Sequence, residues 1–238
     1  MRIAELFTSL QGEGLLAGTP SVFVRATGCN LRCAWCDTPY TSWHPEGEEW
    51  SVARIVGAVI ATGARHVVLT GGEPLLFADA PEIVARCRAA GLHVTVETAG
   101  TVIPPGLPPG GWADLVSISP KLTSSAPAAA DHPAWHRRHQ SARRADDVLL
   151  RLLAGGPWQL KFVVGAEADI AEALAWLADL ERAHGEPLDR SRVFLMPEGI
   201  DVVTLERIGA WLRPAAAAAG LAYGPRHHVA WFGHRRGT

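Results

Sequence analysis

Cys29, Cys33 and Cys36 stand in the run Gly28-Cys29-Asn30-Leu31-Arg32-Cys33-Ala34-Trp35-Cys36-Asp37-Thr38. Three thiolates this close in sequence can converge on one centre, and soft sulfur ligands select an iron–sulfur cluster or zinc. On a [4Fe–4S] cube, three protein thiolates leave one iron open to bind a small molecule and do chemistry. A structural zinc site would use the same three cysteines with His44 as the fourth ligand. The cysteines by themselves leave both readings open. Disulfides are not expected, because Met1-Arg2-Ile3-Ala4-Glu5 lacks the apolar core of a secretory signal. Cys87 shares a helical face with Ile83 and Val84, which marks it as a buried, inert thiol.

Other polar groups follow apolar runs. Thr70-Gly71-Gly72-Glu73-Pro74 is the first such segment, and its two glycines let backbone approach a ligand closely. Val96-Glu97-Thr98-Ala99-Gly100, Ser117-Ile118-Ser119-Pro120-Lys121, Gln159-Leu160-Lys161-Phe162-Val163 and Met196-Pro197-Glu198-Gly199 come next. Any one of them is ordinary loop polarity. Five consecutive strand ends that carry such groups point to one shared pocket. Ser9-Leu10-Gln11-Gly12-Glu13-Gly14 and Val22-Phe23-Val24-Arg25 precede the cysteines.

The elements that must position these groups alternate. Strands are expected at Val22–Arg25, His66–Thr70, His93–Glu97, Leu115–Ser119, Leu160–Val164 and Val193–Met196. They are apolar almost throughout, as strands buried on both faces must be. Helices are expected at Val52–Thr62, Ala80–Ala90, Arg144–Leu153, Glu167–Ala183 and Val202–Ala219, with a stop near Gly185 and a break or kink at Pro214. The proline- and glycine-rich Thr101–Trp112 cannot form a helix, so one crossover is a loop. Leu122–Arg143, rich in histidine and arginine, reads as an irregular solvated insertion in preference to a basic lid over an anionic substrate. Strand–helix alternation implies right-handed βαβ units and a mainly parallel sheet. Six strands are too few to close an eight-stranded barrel, so an open partial (β/α)6-type barrel with reduced helical content is expected. Its ligands would sit at the carboxyl ends of the strands.

The 238 residues are expected to form a single domain over 1–238. Hydrophobic residues make up 48%, which excludes a disordered chain. A net charge of −2 makes no electrostatic case for a nucleic-acid or membrane partner. No stretch is long and apolar enough to span a bilayer, and a cytoplasmic location is expected.

The C-x3-C-x2-C spacing, with aromatic Trp35 before the last cysteine, resembles the radical S-adenosylmethionine (SAM) superfamily. Adding SLQGEG, FVRATGCNLRCAWCDT, TGGEP, VETAG, SISPK, QLKFVV, LMPEG and the tail WFGHRRGT, the chain resembles the 7-carboxy-7-deazaguanine synthases from residue 9 to 238. It departs from them in the insertion after SISPK and at Ala99, where family members often carry Asn.

The resemblance implies a lyase of queuosine and 7-deazapurine biosynthesis. Such an enzyme converts 6-carboxy-5,6,7,8-tetrahydropterin to 7-carboxy-7-deazaguanine and releases ammonia. It uses a [4Fe–4S] cluster, SAM and Mg²⁺. The reduced cluster cleaves SAM, the resulting radical removes a hydrogen from substrate C6, and the hydrogen is later returned so that SAM is regenerated. The resemblance assigns Cys29, Cys33 and Cys36 to the cluster and Thr38 to Mg²⁺. It assigns Trp35, Gly71, Gly72, Glu73, Glu97, Ser119 and Lys121 to SAM, and Gln11, Glu13, Arg25, Thr70 and His228 to the pterin. It also implies an electron donor such as flavodoxin and a homodimer. Two competing readings are a radical SAM activase acting on a protein partner and a zinc-stabilised binding module.

Overall fold

The six apolar runs form the centre of a nine-stranded sheet in a computed structural model that describes residues 1–238. Strand β1 (Arg2–Leu10) pairs antiparallel with β2 (Pro20–Ala26) and with the short β3 (Glu48–Glu49). From β2 the sheet continues in parallel through β4 (His66–Gly71), β5 (His93–Thr98), β6 (Leu115–Ile118), β7 (Trp158–Val164), β8 (Val193–Pro197) and β9 (Ala222–Tyr223). The order β3-β1-β2-β4-β5-β6-β7-β8-β9 leaves two free edges, so the sheet is open. Val24, Leu69, Val96, Ile118, Leu160 and Leu195 are fully buried along its middle, as strands covered on both faces require.

The five expected helices are present as α1 (Val52–Ala61), α2 (Ala80–Ala89), α4 (Asp146–Ala154), α5 (Glu167–His184) and α6 (Val202–Ala218). Helix α1 begins where the Ser51 side chain accepts from the Arg54 N–H at 3.2 Å. Helix α5 stops at Gly185, which takes the left-handed conformation at φ 87°. No helix fills the β5–β6 crossover, as its proline content dictates. Cys87 lies wholly within the core, against the sheet.

Three sequence expectations need correction. Pro214 does not break α6: it and Ala210 are exposed, so the carbonyl that loses its helical donor faces water. Strand β1 was not anticipated, because most of its residues are only half-buried and its pattern is weak. Leu122–Arg143 is not an irregular solvated insertion. It contains α3 (Pro133–Ala142), and His139 on that helix is fully buried. The inward stripe of α3 is aromatic and polar: His136 bonds the Pro127 carbonyl at 2.8 Å and His139 bonds Ser125 at 2.9 Å, while His132 at the N-cap packs at a tilt against Trp43. A short helix α7 (His227–Phe232) closes the chain.

Two buried histidines make stability depend on pH. His66 bonds Ser21 at 2.7 Å and Thr95 at 2.8 Å through its two ring nitrogens. Burial pushes His66 down to about 4, and burial with nearby cations pushes His139 down to about 4. Both are neutral in the folded protein at pH 7. Below their unfolded pKa of about 6.5 the unfolded chain binds protons that the folded chain refuses, so stability falls as pH drops from there toward 4. The urea midpoint of the protein is therefore expected to fall from pH ~7 to pH ~5, and to fall less steeply in His66→Gln. Equal midpoints at the two pH values would contradict this.

Candidate active site at the carboxyl ends of the strands

The cysteine loop leaves the carboxyl end of β2 and packs on the loop after β4. Gly72 N–H donates to the Ala26 carbonyl at 3.0 Å, and Glu73 N–H donates to the Gly28 carbonyl at 2.9 Å. Gly71 has φ 128°, and a side chain there would overlap the Ala26 carbonyl. A side chain at Gly72 would overlap the Gly28 carbonyl. The glycine pair therefore lets two strand-end loops touch through backbone alone.

Cys29, Cys33 and Cys36 line one cavity of about 110 Å³ together with Trp35, Thr38, Gly71, Gly72 and Lys121. Cys29 Sγ accepts from the Leu31 N–H at 3.4 Å, and Cys36 Sγ lies 3.3 Å from Ser42 Oγ. His44 is exposed and does not line this cavity. No three His, Cys, Asp or Glu side chains are placed to hold a single ion. Three thiols share this cavity with no further cysteine or histidine, and the one carboxylate there, Asp37, is engaged by Arg226, which fits a cube with an open iron better than a closed four-ligand zinc site. Burial pushes Cys29 up to about 11 and Cys33 up to about 12, so loading metal onto these thiols must release protons.

A second cavity, of about 430 Å³, adjoins the first and shares Trp35, Asp37, Thr38, Gly71, Gly72, Ala99 and Lys121 with it as lining residues. Its walls also carry Gln11, Glu13, Arg25, Thr70, Glu97, Ser119 and His228. Every residue that the resemblance assigns to the cluster, Mg²⁺, SAM or the pterin therefore lines one cavity or both, except Glu73. The Glu73 carboxylate is fully buried and turned inward. It accepts from Leu75 N–H at 3.0 Å, Ala99 N–H at 2.8 Å and Thr98 Oγ1 at 2.9 Å, tying the β4 loop to the β5 loop.

The floor of the larger cavity is a buried charge network. Glu13 pairs with Lys161 Nζ at 2.8 Å and Arg226 Nε at 3.1 Å. Burial opposes its ionisation, but Lys161 and Arg226 outweigh that and hold its carboxyl well below the usual carboxylate range. Lys161 also lies 3.6 Å from Glu97, and the two carboxylates overcome burial to raise its pKa. Glu97 accepts from Gln11 Nε2 at 3.2 Å and Thr70 Oγ1 at 2.7 Å. Gln11 Oε1 accepts from the Glu13 N–H at 3.1 Å. Arg226 reaches from the start of α7 to Asp37 and to the Gly199 carbonyl, the latter at 2.7 Å. These contacts link the ends of β1, β5, β7, β8 and α7.

His228 lies 3.9 Å from Glu13 and packs where any side chain at Gly12 would stand. Its neighbour His227 does not line the cavity and stacks on Trp231. Arg25 Nε donates to Glu5 at 2.6 Å, which leaves its two Nη groups free for a ligand. Glu5 also accepts from the Tyr40 hydroxyl at 2.8 Å and from Arg236 at 3.2 Å. Lys121 Nζ donates to Ser119 Oγ at 2.8 Å and stands over the Trp35 ring. Thr38 lines both cavities, 3.9 Å from Cys36 Sγ, and also opens the turn at Pro39–Thr41.

Sequence reasoning assigned no role to Glu5, Asp37, Tyr40, Lys161, Arg226 or the tail His234–Thr238, all of which belong to this cavity or brace it. Lys161 offered a signal: a charge at the centre of an otherwise apolar, doubly covered strand demands a buried partner.

Residues 23–125 match the Radical SAM superfamily. The crystal structure of QueE from Escherichia coli, 24% identical, superposes on 95% of this chain and 94% of its own with a TM-score of 0.68. Fold and site together define a radical SAM enzyme, a class that carries a [4Fe–4S] cluster and SAM. The chain is 44% identical to the 7-carboxy-7-deazaguanine synthase of Rhodopirellula baltica, over 99% of this chain and 88% of that one. It is 47% identical to that of Halobacterium salinarum, over 96% and 89%. The chain belongs to the 7-carboxy-7-deazaguanine synthase family.

Proposed function

We propose that the chain converts 6-carboxy-5,6,7,8-tetrahydropterin to 7-carboxy-7-deazaguanine, releasing ammonia, as a single radical SAM domain. The observation that carries this reading is that the three-thiol cavity shares a wall with a cavity of about 430 Å³, the size of a small-molecule site, that is lined by many charged and polar side chains. When bound, the cluster and SAM supply the hydrogen-abstracting chemistry. The protein's own residues bind, orient and exclude water. Cys29, Cys33 and Cys36 hold the cluster. Trp35, Gly71, Gly72, Glu97, Ser119 and Lys121 wall the SAM region, and Glu73 fixes the glycine loop from behind.

Gln11, Glu13 and Thr70 present polar groups to the amino and ring N–H edge of the pterin. Arg25, held at Nε by Glu5, offers both Nη groups to the substrate carboxylate in a bidentate grip. His228 closes the same wall. A protein-modifying activase is disfavoured because Gln11, Glu13 and their partners would have no use there. A reductant such as flavodoxin, a homodimer and a cytoplasmic site of action belong to the same reading. The most direct test of the reaction class is ammonia release under anaerobic turnover. One ammonia per pterin consumed is expected, and consumption without ammonia would refute the reaction.

Mg²⁺ enters the proposal through Thr38. A hard cation takes oxygen ligands and keeps several waters. The Thr38 hydroxyl and a substrate carboxylate form a reasonable partial shell, while the neighbouring Asp37 is already engaged by Arg226. Mg²⁺ is expected to stimulate the native enzyme strongly, Thr38→Ser less, and Thr38→Ala least. If Thr38→Ala keeps the full response, Thr38 is a turn residue only.

A further inference from the structure

We propose that the outer face of α3, with Arg32 beside it, is the docking surface for an acidic one-electron carrier protein. The inference rests on the radical SAM reading above, which requires an electron to reach the cluster from outside. The helix is seated directly on the cysteine loop. His139 Nδ1 accepts from the Arg32 N–H at 3.2 Å, one residue from Cys33. Ser125, which His139 also bonds, gives its carbonyl to the Ala34 N–H at 2.9 Å. Arg32 Nη1 donates to the Cys29 carbonyl at 2.8 Å. Only α3 itself and its neighbouring residues separate a partner resting on its outer face from the loop that carries Cys29 and Cys33.

The face is basic in a chain whose net charge is −2. Arg137 and Arg138 are exposed, and Asp131 is the one acid between residues 131 and 142. Arg143 and Arg144, just beyond, are neutralised by Glu172, Asp146 and Asp179. Arg32 and Arg138 instead both stand over the Trp135 ring, with no carboxylate in ion-pair contact. Uncompensated guanidinium groups around a half-buried aromatic ring match an acidic protein surface, and the charge would steer its approach. The electron balance is one electron lost by the carrier and one gained by the cluster, [4Fe–4S]²⁺ to [4Fe–4S]⁺, with no atom transferred.

The test uses the cluster-loaded enzyme and a purified flavodoxin of strongly negative net charge. Binding is read by calorimetry at low and at moderate salt, and cluster reduction by stopped-flow absorbance. The Arg137→Glu/Arg138→Glu variant is expected to weaken flavodoxin binding at least ~10-fold and to slow reduction by flavodoxin in proportion. Iron content and dithionite-driven turnover should stay native. Arg137→Gln/Arg138→Gln should show a smaller loss, and guards against misfolding of the reversed variant. Arg65→Glu, at the opposite end of the strands, should bind as the native enzyme does.

Unchanged flavodoxin affinity in both double variants overturns the proposal, as does an equal loss in Arg65→Glu. Native binding of double-stranded DNA or phosphatidylserine vesicles as tight as that of flavodoxin also overturns it, since the face is then a general anion surface. Failure of the native enzyme to turn over pterin with dithionite would refute the reaction and leave the binding result to stand on its own.

Discussion

Replacing any one of Cys29, Cys33 and Cys36 with alanine is expected to abolish turnover and most bound iron. Cys87→Ala is expected to keep full iron and sulfide. The asymmetry follows from position. The first three thiols share one cavity, whereas Cys87 projects from α2 into the core. A cube held by two thiolates loses a ligand that no further cysteine or histidine in that cavity can replace, and the nearby Asp37 carboxylate is engaged by Arg226. The measurement is iron and sulfide content with the charge-transfer absorbance of the anaerobically loaded protein. A cluster retained in Cys33→Ala, or lost in a folded Cys87→Ala, would contradict the assignment.

The second large effect is expected at Lys161. Its ammonium stands between the Glu13 and Glu97 carboxylates, with its side chain almost wholly buried. Lys161→Met keeps the stem and removes the charge, leaving two carboxylates close together with less compensation. Losing one partner of a buried, hydrogen-bonded charge pair costs about 2–5 kcal/mol. Glu13 should then be harder to ionise, and its grip on the pterin edge should weaken. The expected loss in kcat/KM is about 30-fold or more, carried mainly by KM. SAM binding and cluster content should change little, because Lys161 does not line the thiol cavity. The alternative, a purely structural lysine, predicts a lower urea midpoint with native KM. Arg25→Ala and Glu13→Ala should show the same KM-weighted pattern.

Much of the fold was legible because the parallel strands are covered on both faces. Val22–Arg25, His66–Thr70 and Val193–Met196 each announce themselves by a continuous apolar stretch of at least three residues. Strand β1 did not, because it is half-buried and forms a cavity wall, so Phe7 and Leu10 serve the site more than the core. Helix α3 was hidden for a related reason. Its inward positions are Trp135, His136 and His139, at helical spacing but aromatic or polar, so the usual apolar stripe is missing. The histidines find carbonyl and hydroxyl partners that only the folded chain brings near.

The site divides along the same line. The cysteine run and the glycine pair are local patterns whose spacing has a chemical meaning. The braces are not local. Lys161 and Arg226 lie 148 and 213 residues from the Glu13 they hold, and Arg236 lies 231 residues from Glu5. A short motif can show that Glu13 is present but not which cations set its charge. Glu73 shows the reverse. Its place in the Gly71-Gly72-Glu73 motif assigned it to SAM, yet its carboxylate is spent on three protein donors behind the loop.

The central claim is that this pair of adjoining cavities performs radical chemistry on a carboxypterin without consuming its cofactor. It is tested most directly by anaerobic turnover with 6-carboxy-5,6,7,8-tetrahydropterin, SAM, Mg²⁺ and dithionite, counting product against methionine and 5′-deoxyadenosine by mass spectrometry. The account predicts 7-carboxy-7-deazaguanine in large excess over both SAM fragments. No product from a cluster-loaded enzyme, or fragments accumulating one-to-one with product, would contradict it.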